Sequence, residues 1–101
     1  MNRMKILVID VGGTNVKVSA TSHKRRVEFP SGPKMTARKM VAAVRKLIVG
    51  WQYEAITIGY PGAVLHGHIV GEPHNLGHDR VGFNFQKAFA RPCKIFNDTA
   101  M

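Results

Sequence analysis

One stretch near the amino end limits what this chain can fold into: Ile6-Leu7-Val8-Ile9-Asp10-Val11-Gly12-Gly13-Thr14-Asn15-Val16-Lys17-Val18. An apolar run ends in a carboxylate, and two glycines follow. The pattern then alternates, with Val16 and Val18 on one face and Lys17 and Ser19 on the other. Such a pattern reads as strand, tight glycine turn, strand. The turn gathers backbone N–H groups, the Thr14 hydroxyl and the Lys17 ammonium beside the Asp10 carboxylate. A phosphate with a metal ion next to it suits that set. Adjacent glycines also serve a hairpin that binds nothing; the neighbours Asp10, Thr14, Asn15 and Lys17 favour the phosphate. The stretch is neither a P-loop nor a dinucleotide fingerprint, because no G-x-x-x-x-G-K-[ST] occurs and a strand, not a helix, follows the glycines.

The remaining segments support this hairpin. Met4 to Asp10 is the first strand, and its unbroken apolar character predicts a central strand covered on both faces. Asn15 to Thr21 is the second strand, His23 to Arg26 a polar turn, and Val27 to Phe29 the third strand, in an antiparallel meander. Pro30-Ser31-Gly32-Pro33 breaks the chain. Thr36 is a candidate N-cap. The helix that follows carries apolar Met40, Val41, Val44, Leu47 and Ile48 on one stripe and stops at Gly50. Ala55 to Gly59 is the fourth strand, with a sharp turn at Tyr60-Pro61-Gly62. Residues 63–82 show little periodicity beyond a short hairpin around Val64-Leu65 and Ile69-Val70. A second helix starts after Asn84 and runs through Phe85, Ala88 and Phe89 to Pro92. Lys94 to Phe96 is the fifth strand, running into Asn97-Asp98-Thr99. The order β-β-β-α-β-α-β is α/β, a mixed five-stranded sheet with helices packed on it.

Composition narrows the function classes. The 101 residues make one small domain, and 45% hydrophobic content excludes a disordered chain. The lone Cys93 excludes an internal disulfide framework and fits a reducing cytosol. Every apolar run is far shorter than a membrane span. The run after Met1-Asn2-Arg3-Met4-Lys5 is too short for a signal peptide and ends in a charge, so a cytoplasmic location is expected. The charge of +9, from 15 Lys and Arg against 6 Asp and Glu, favours polyanionic partners or an acidic remainder elsewhere in a longer protein. Lys24, Arg25, Arg26, Lys34, Arg38 and Lys39 could guide a polyphosphate, or form a solvated basic face. His66, His68, His74 and His78 share one loop region, which has no Cys to complete a usual zinc set. Trp51, Phe83 and Phe85 read as core or interface, and Cys93 as an inert core thiol.

Asn97-Asp98 puts a second carboxylate just past a strand. It could be only a helix cap. In a sheet with crossover helices, however, Asp10 and Asp98 would share the edge where α/β folds place their sites. At this point a resemblance becomes specific. Asp10 to Lys17 resembles the first phosphate motif of the actin-like, hexokinase-type sugar kinases. Ile58-Gly59-Tyr60-Pro61-Gly62-Ala63 resembles the second turn of their ROK (repressor, ORF, kinase) group. Asn75-Leu76-Gly77 and Asn97-Asp98 fall in that group's order, over nearly the whole chain. Within the group the likeness is to polyphosphate or ATP glucokinases.

The resemblance implies a ribonuclease-H-like, actin-like N-terminal lobe over residues 1–101. It implies that Asp10 holds Mg²⁺ through water, and that Gly12, Gly13, Thr14, Asn15 and Lys17 line the donor phosphates of ATP or polyphosphate. Gly62, Asn97 and Asp98 would meet glucose or a similar hexose, with Asp98 as general base toward its 6-hydroxyl. These kinases are two-lobed. The family's second-lobe sugar contacts and its His/Cys zinc motif have no counterpart here, so the chain is expected to be inactive alone and to dimerise through an exposed face. Two other classes compete. A non-catalytic nucleotide- or polyanion-binding module of the same fold is one; a ROK repressor would need a helix-turn-helix before the first strand. A ribonuclease-H-like nuclease is the other, but a two-metal nuclease needs clustered carboxylates, and Gly59-Tyr60-Pro61-Gly62 supplies none after the fourth strand. Nucleic acid is therefore not the expected partner.

Overall fold

The computed structural model describes residues 4–12, 14–32, 35–61, 64–65, 68–69 and 84–97. Among the described residues seven strands and two helices follow one another: β1 (Ile6–Val11), β2 (Asn15–Ala20), β3 (His23–Pro30), α1 (Ala37–Leu47), β4 (Ala55–Tyr60), β5 (Val64–Leu65), β6 (His68–Ile69), α2 (Phe85–Phe89) and β7 (Cys93–Asn97). Five of them form a mixed sheet in the order β3-β2-β1-β4-β7. β1 runs antiparallel to β2, and β2 to β3, while β4 is parallel to β1 and to β7. β5 and β6 form a separate small hairpin, Val64 pairing with Ile69 and Leu65 with His68. It lies one residue from the expected pairing of Val64-Leu65 with Ile69-Val70.

Strand alternation sorts the sheet into two faces. Leu7, Ile9, Val11, Val16, Val18, Ile56 and Ile58 point to one face and are fully buried. They form a single core with Ala37, Met40, Val41, Val44 and Ile48 of the α1 segment and with Phe85 and Phe89 of α2. On the other face Ile6 and Val8 are half-buried, Asp10 is exposed, and Phe96 is 46% exposed. β1 is therefore central, as its apolar run predicts, but it is covered fully on one face only.

The helix caps are as the sequence predicts. Thr36 Oγ1 accepts from the Lys39 N–H at 3.1 Å, and Asn84 Oδ1 accepts from the Lys87 N–H at 2.9 Å. Gly50 takes the left-handed φ of +87° just beyond α1, a conformation that costs glycine nothing. α2 stops before Pro92, where Ala90 turns left-handed at φ 56°.

Two readings need correction. His23 to Arg26 are not a turn: they belong to β3, and Thr21-Ser22 make the turn. Thr21 fixes it by donating its N–H to the Ile6 carbonyl at 3.0 Å and accepting the Ile6 N–H on Oγ1 at 2.9 Å. β3 is an edge strand, so Lys24, Arg25 and Arg26 stay exposed while their backbone pairs. Leu47 is 39% exposed and outside the core. At about 100° per residue the buried arc centres on Ala37, Val44 and Ile48, and Leu47 falls at its margin in the last turn.

Candidate functional site

The turn between β1 and β2 closes through the Gly12 N–H, which donates to the Asn15 carbonyl at 2.9 Å. A Cβ on Gly12 would lie 2.8 Å from that same oxygen. No side chain fits there without opening the turn, so the glycine follows from close backbone approach. Ser31 locks the turn from outside. Its N–H donates to the Thr14 carbonyl at 2.9 Å, and its Oγ donates to the Gly12 carbonyl at 2.7 Å. Two carbonyls of the turn are thereby held toward Ser31. Sequence reasoning treats Ser31 as part of a chain break, yet the β2–β3 register, with Asn15 opposite Pro30, delivers it to the turn.

The carboxyl ends of the parallel strands meet the turn at one edge. Asp10 pairs with Gly59, Gly59 with Phe96, and Tyr60 with Asn97. At about 4.8 Å per strand, β1 and β7 lie roughly 10 Å apart. Asp10 stands on the open face in a row with Lys17 and Glu28 of β2 and β3. Cross-strand neighbours of this kind have Cβ atoms about 5 Å apart, so Lys17 sits between two carboxylates. All three side chains are exposed. Thr14 is exposed and Asn15 half-buried at the start of β2. Asn97 ends β7 half-buried and on the helix-covered face with Tyr60. The edge thus unites Asp10, Gly12, Thr14, Asn15 and Lys17 and brings Asn97 within two strands, but on the opposite face. Gly13, Gly62 and Asp98 lie outside the described residues, as do the side chains of His66, His68, His74 and His78.

A hydrated Mg²⁺ fits the donor set at this edge. Asp10 offers an exposed hard oxygen donor, and the row Glu28, Lys17, Asp10 carries one net negative charge. Among the described residues no three His, Cys, Asp or Glu groups gather. Mg²⁺ commonly takes one or two carboxylates and keeps waters or phosphates, so it needs no such cage. Cys93 is remote from this chemistry. Burial pushes its thiol up from 9.0 to about 11, which keeps it protonated and unreactive at neutral pH.

No protein-family model and no curated protein matches the chain. Solved structures do. A ROK hexokinase from Thermus thermophilus is 25% identical, with a TM-score of 0.66, over 94% of this chain and 35% of its own. A ROK family protein from Streptococcus pneumoniae, in complex with sucrose, is 23% identical with a TM-score of 0.72, over 94% and 35%. A ROK family glucokinase from Streptomyces griseus, in complex with glucose and AMPPNP, is 20% identical with a TM-score of 0.71, over 93% and 33%. The fold is that of the actin-like N-terminal lobe of ROK sugar kinases. The chain spans about a third of the length of these structures. No helix among the described residues is long and apolar enough to cross a membrane.

Proposed function

We propose that residues 1–101 form the phosphate-side wall of a sugar-kinase cleft, in a protein that transfers a phosphoryl group from ATP or polyphosphate to the 6-hydroxyl of glucose. The observation that carries this reading is the register that ends Asp10, Tyr60 and Asn97 at one sheet edge beside a turn too tight for a side chain at Gly12. The neighbours add support: one of them holds glucose and AMPPNP together.

Each residue has a role in this scheme. Gly12 and Gly13 let the donor phosphates approach the backbone, and Thr14 and Asn15 hydrogen-bond them. Lys17 offsets their charge. Asn97 orients the sugar, and Gly62 admits it closely. Asp98 accepts the proton of the 6-hydroxyl as that oxygen bonds the terminal phosphorus and the bond to the bridging oxygen breaks. Phosphoryl transfer relies on this positioning and charge neutralisation more than on covalent help. Mg²⁺ held through water by Asp10 would neutralise charge on the donor. Lys24, Arg25 and Arg26 are exposed on the edge strand β3, toward the end that pairs with Ala20 and away from the turn, so the donor they would favour is a polyphosphate long enough to run along that strand. Alone, this wall binds donor without turnover, and two copies associate through the half-open sheet face.

Calorimetric titration with tripolyphosphate and with AMPPNP, each with Mg²⁺, tests the reading. Binding is expected to weaken with salt and to fall roughly tenfold in Thr14→Ala and in Lys17→Gln, about 1.4 kcal/mol each. Equal affinity in the wild type and both variants would overturn it.

A further inference from the structure

A second groove lies at the opposite end of the sheet from the glycine turn. It has a volume of about 500 Å³ and is lined by Lys5, Arg45, Trp51, Tyr53, Glu54 and Arg91, among others. These residues precede β1, β4 and β7 or belong to the last turn of α1. Six residues of β1, at about 3.3 Å each, separate the groove from the turn by roughly 20 Å.

The charges in this groove are unevenly satisfied. Its cations donate to neutral oxygens: Arg45 to the Ala88 carbonyl at 3.3 Å, Arg91 to the Tyr53 carbonyl at 3.4 Å and the Ala90 carbonyl at 2.9 Å, and Lys5 Nζ to Gln52 Oε1. The lining carboxylate, Glu54, accepts the backbone N–H of Lys5 at 3.0 Å. Three positive charges therefore share the groove with one negative charge. The carbonyl bonds also fix both guanidinium groups while leaving most of their five N–H donors for a ligand. Arg91 lies over the Tyr53 ring, 5.7 Å from its centroid. Trp51 is held by stacking on His23 at 4.0 Å. The walls are thus ordered before a ligand arrives, which lowers the cost of binding.

We propose that this groove binds a small multivalent oxyanion, a phosphate ester or a polycarboxylate, at a site separate from the glycine turn. The volume falls in the range of small-molecule sites. Two anchored guanidinium forks suit the paired oxygens of phosphate or carboxylate, which a lone lysine would not select. The α1 carboxyl end contributes partial negative charge, and Arg45 and Lys46 in its last turn offset it. The cations are exposed, so the affinity is modest and sensitive to salt.

Trp51 is the only tryptophan in the chain, so its fluorescence reports on this groove. The full chain is titrated with pyrophosphate and, separately, with citrate at constant ionic strength. A saturable change is expected with at least one of the two, and the pair tells a phosphate site from a carboxylate site. Arg45→Gln is expected to weaken it about tenfold. Thr14→Ala, at the other end of the sheet, leaves it unchanged, as does the charge-matched Arg38→Gln in the first turn of α1. Arg91→Gln gives an independent second test should Arg45→Gln fold poorly. No saturable change with either anion would overturn the proposal. So would an equal loss in Arg38→Gln, the mark of net charge alone, or abolition by Thr14→Ala, the mark of a signal from the turn.

Discussion

Gly12 and Ser31 decide the shape of the phosphate turn between them. Gly12→Ala places a methyl 2.8 Å from the oxygen that its own N–H must bond, so the clash cannot relax while the turn stays closed. A loss of about 1–3 kcal/mol is expected in denaturant melts. Ser31→Ala removes only the bond to the Gly12 carbonyl, worth about 1 kcal/mol, and should weaken tripolyphosphate binding by loosening the turn. The two differ in legibility. Gly12 stands inside a local pattern of carboxylate, glycines and hydroxyl. Ser31 acts on a residue nineteen positions away, and only strand register brings it there. Cys93 supplies a check of another kind. Burial raises its folded pKa to about 11, above the ordinary thiol value of 9.0. At pH 8 its alkylation should run roughly a hundredfold slower than that of an exposed cysteine. The unfolded chain loses this proton first, so its contribution to stability is full below pH 9 and disappears as the pH rises toward 11. Alkylation at the rate of a free thiol would contradict the burial.

Among the elements, α1 is the one most completely written in local sequence. Thr36 caps it, and its apolar period picks out Met40, Val41 and Val44 correctly. Leu47 fits the same period but not the buried arc, because the covered stripe depends on how the helix lies on the sheet. The contrast can be measured. Met40→Ala, at a fully buried position, should cost about 2–5 kcal/mol in urea unfolding. Leu47→Ala should cost clearly less than Met40→Ala, and equal costs would contradict the packing. β3 was hard to read for a related reason. An edge strand with Lys24, Arg25 and Arg26 exposed has no apolar alternation to betray it. β1 shows the opposite failure: continuous apolar sequence implies burial on both faces, yet Ile6 and Val8 remain half-buried.

At the level of the whole molecule, one sheet carries two ends with different electrostatics. The carboxyl edge offers Asp10 beside the tight glycine turn, and the amino edge gathers Lys5, Arg45 and Arg91. Motif order made the first end legible, because its residues are close in sequence or repeat the same strand-end position. The second end was not legible: its cations come from three separate segments and converge only when the parallel strands align. In the proposed function the glycine turn and the end of β7 serve one site. Paramagnetic Mn²⁺, which shares the oxygen preference of Mg²⁺, tests this most directly when added with tripolyphosphate to the ¹⁵N-labelled chain. With β1 and β7 roughly 10 Å apart, amide broadening should centre on Asp10 to Asn15 and extend to Asn97 and Asp98. Broadening that spares the turn and centres on His66 to His78, or none at all, would contradict the account.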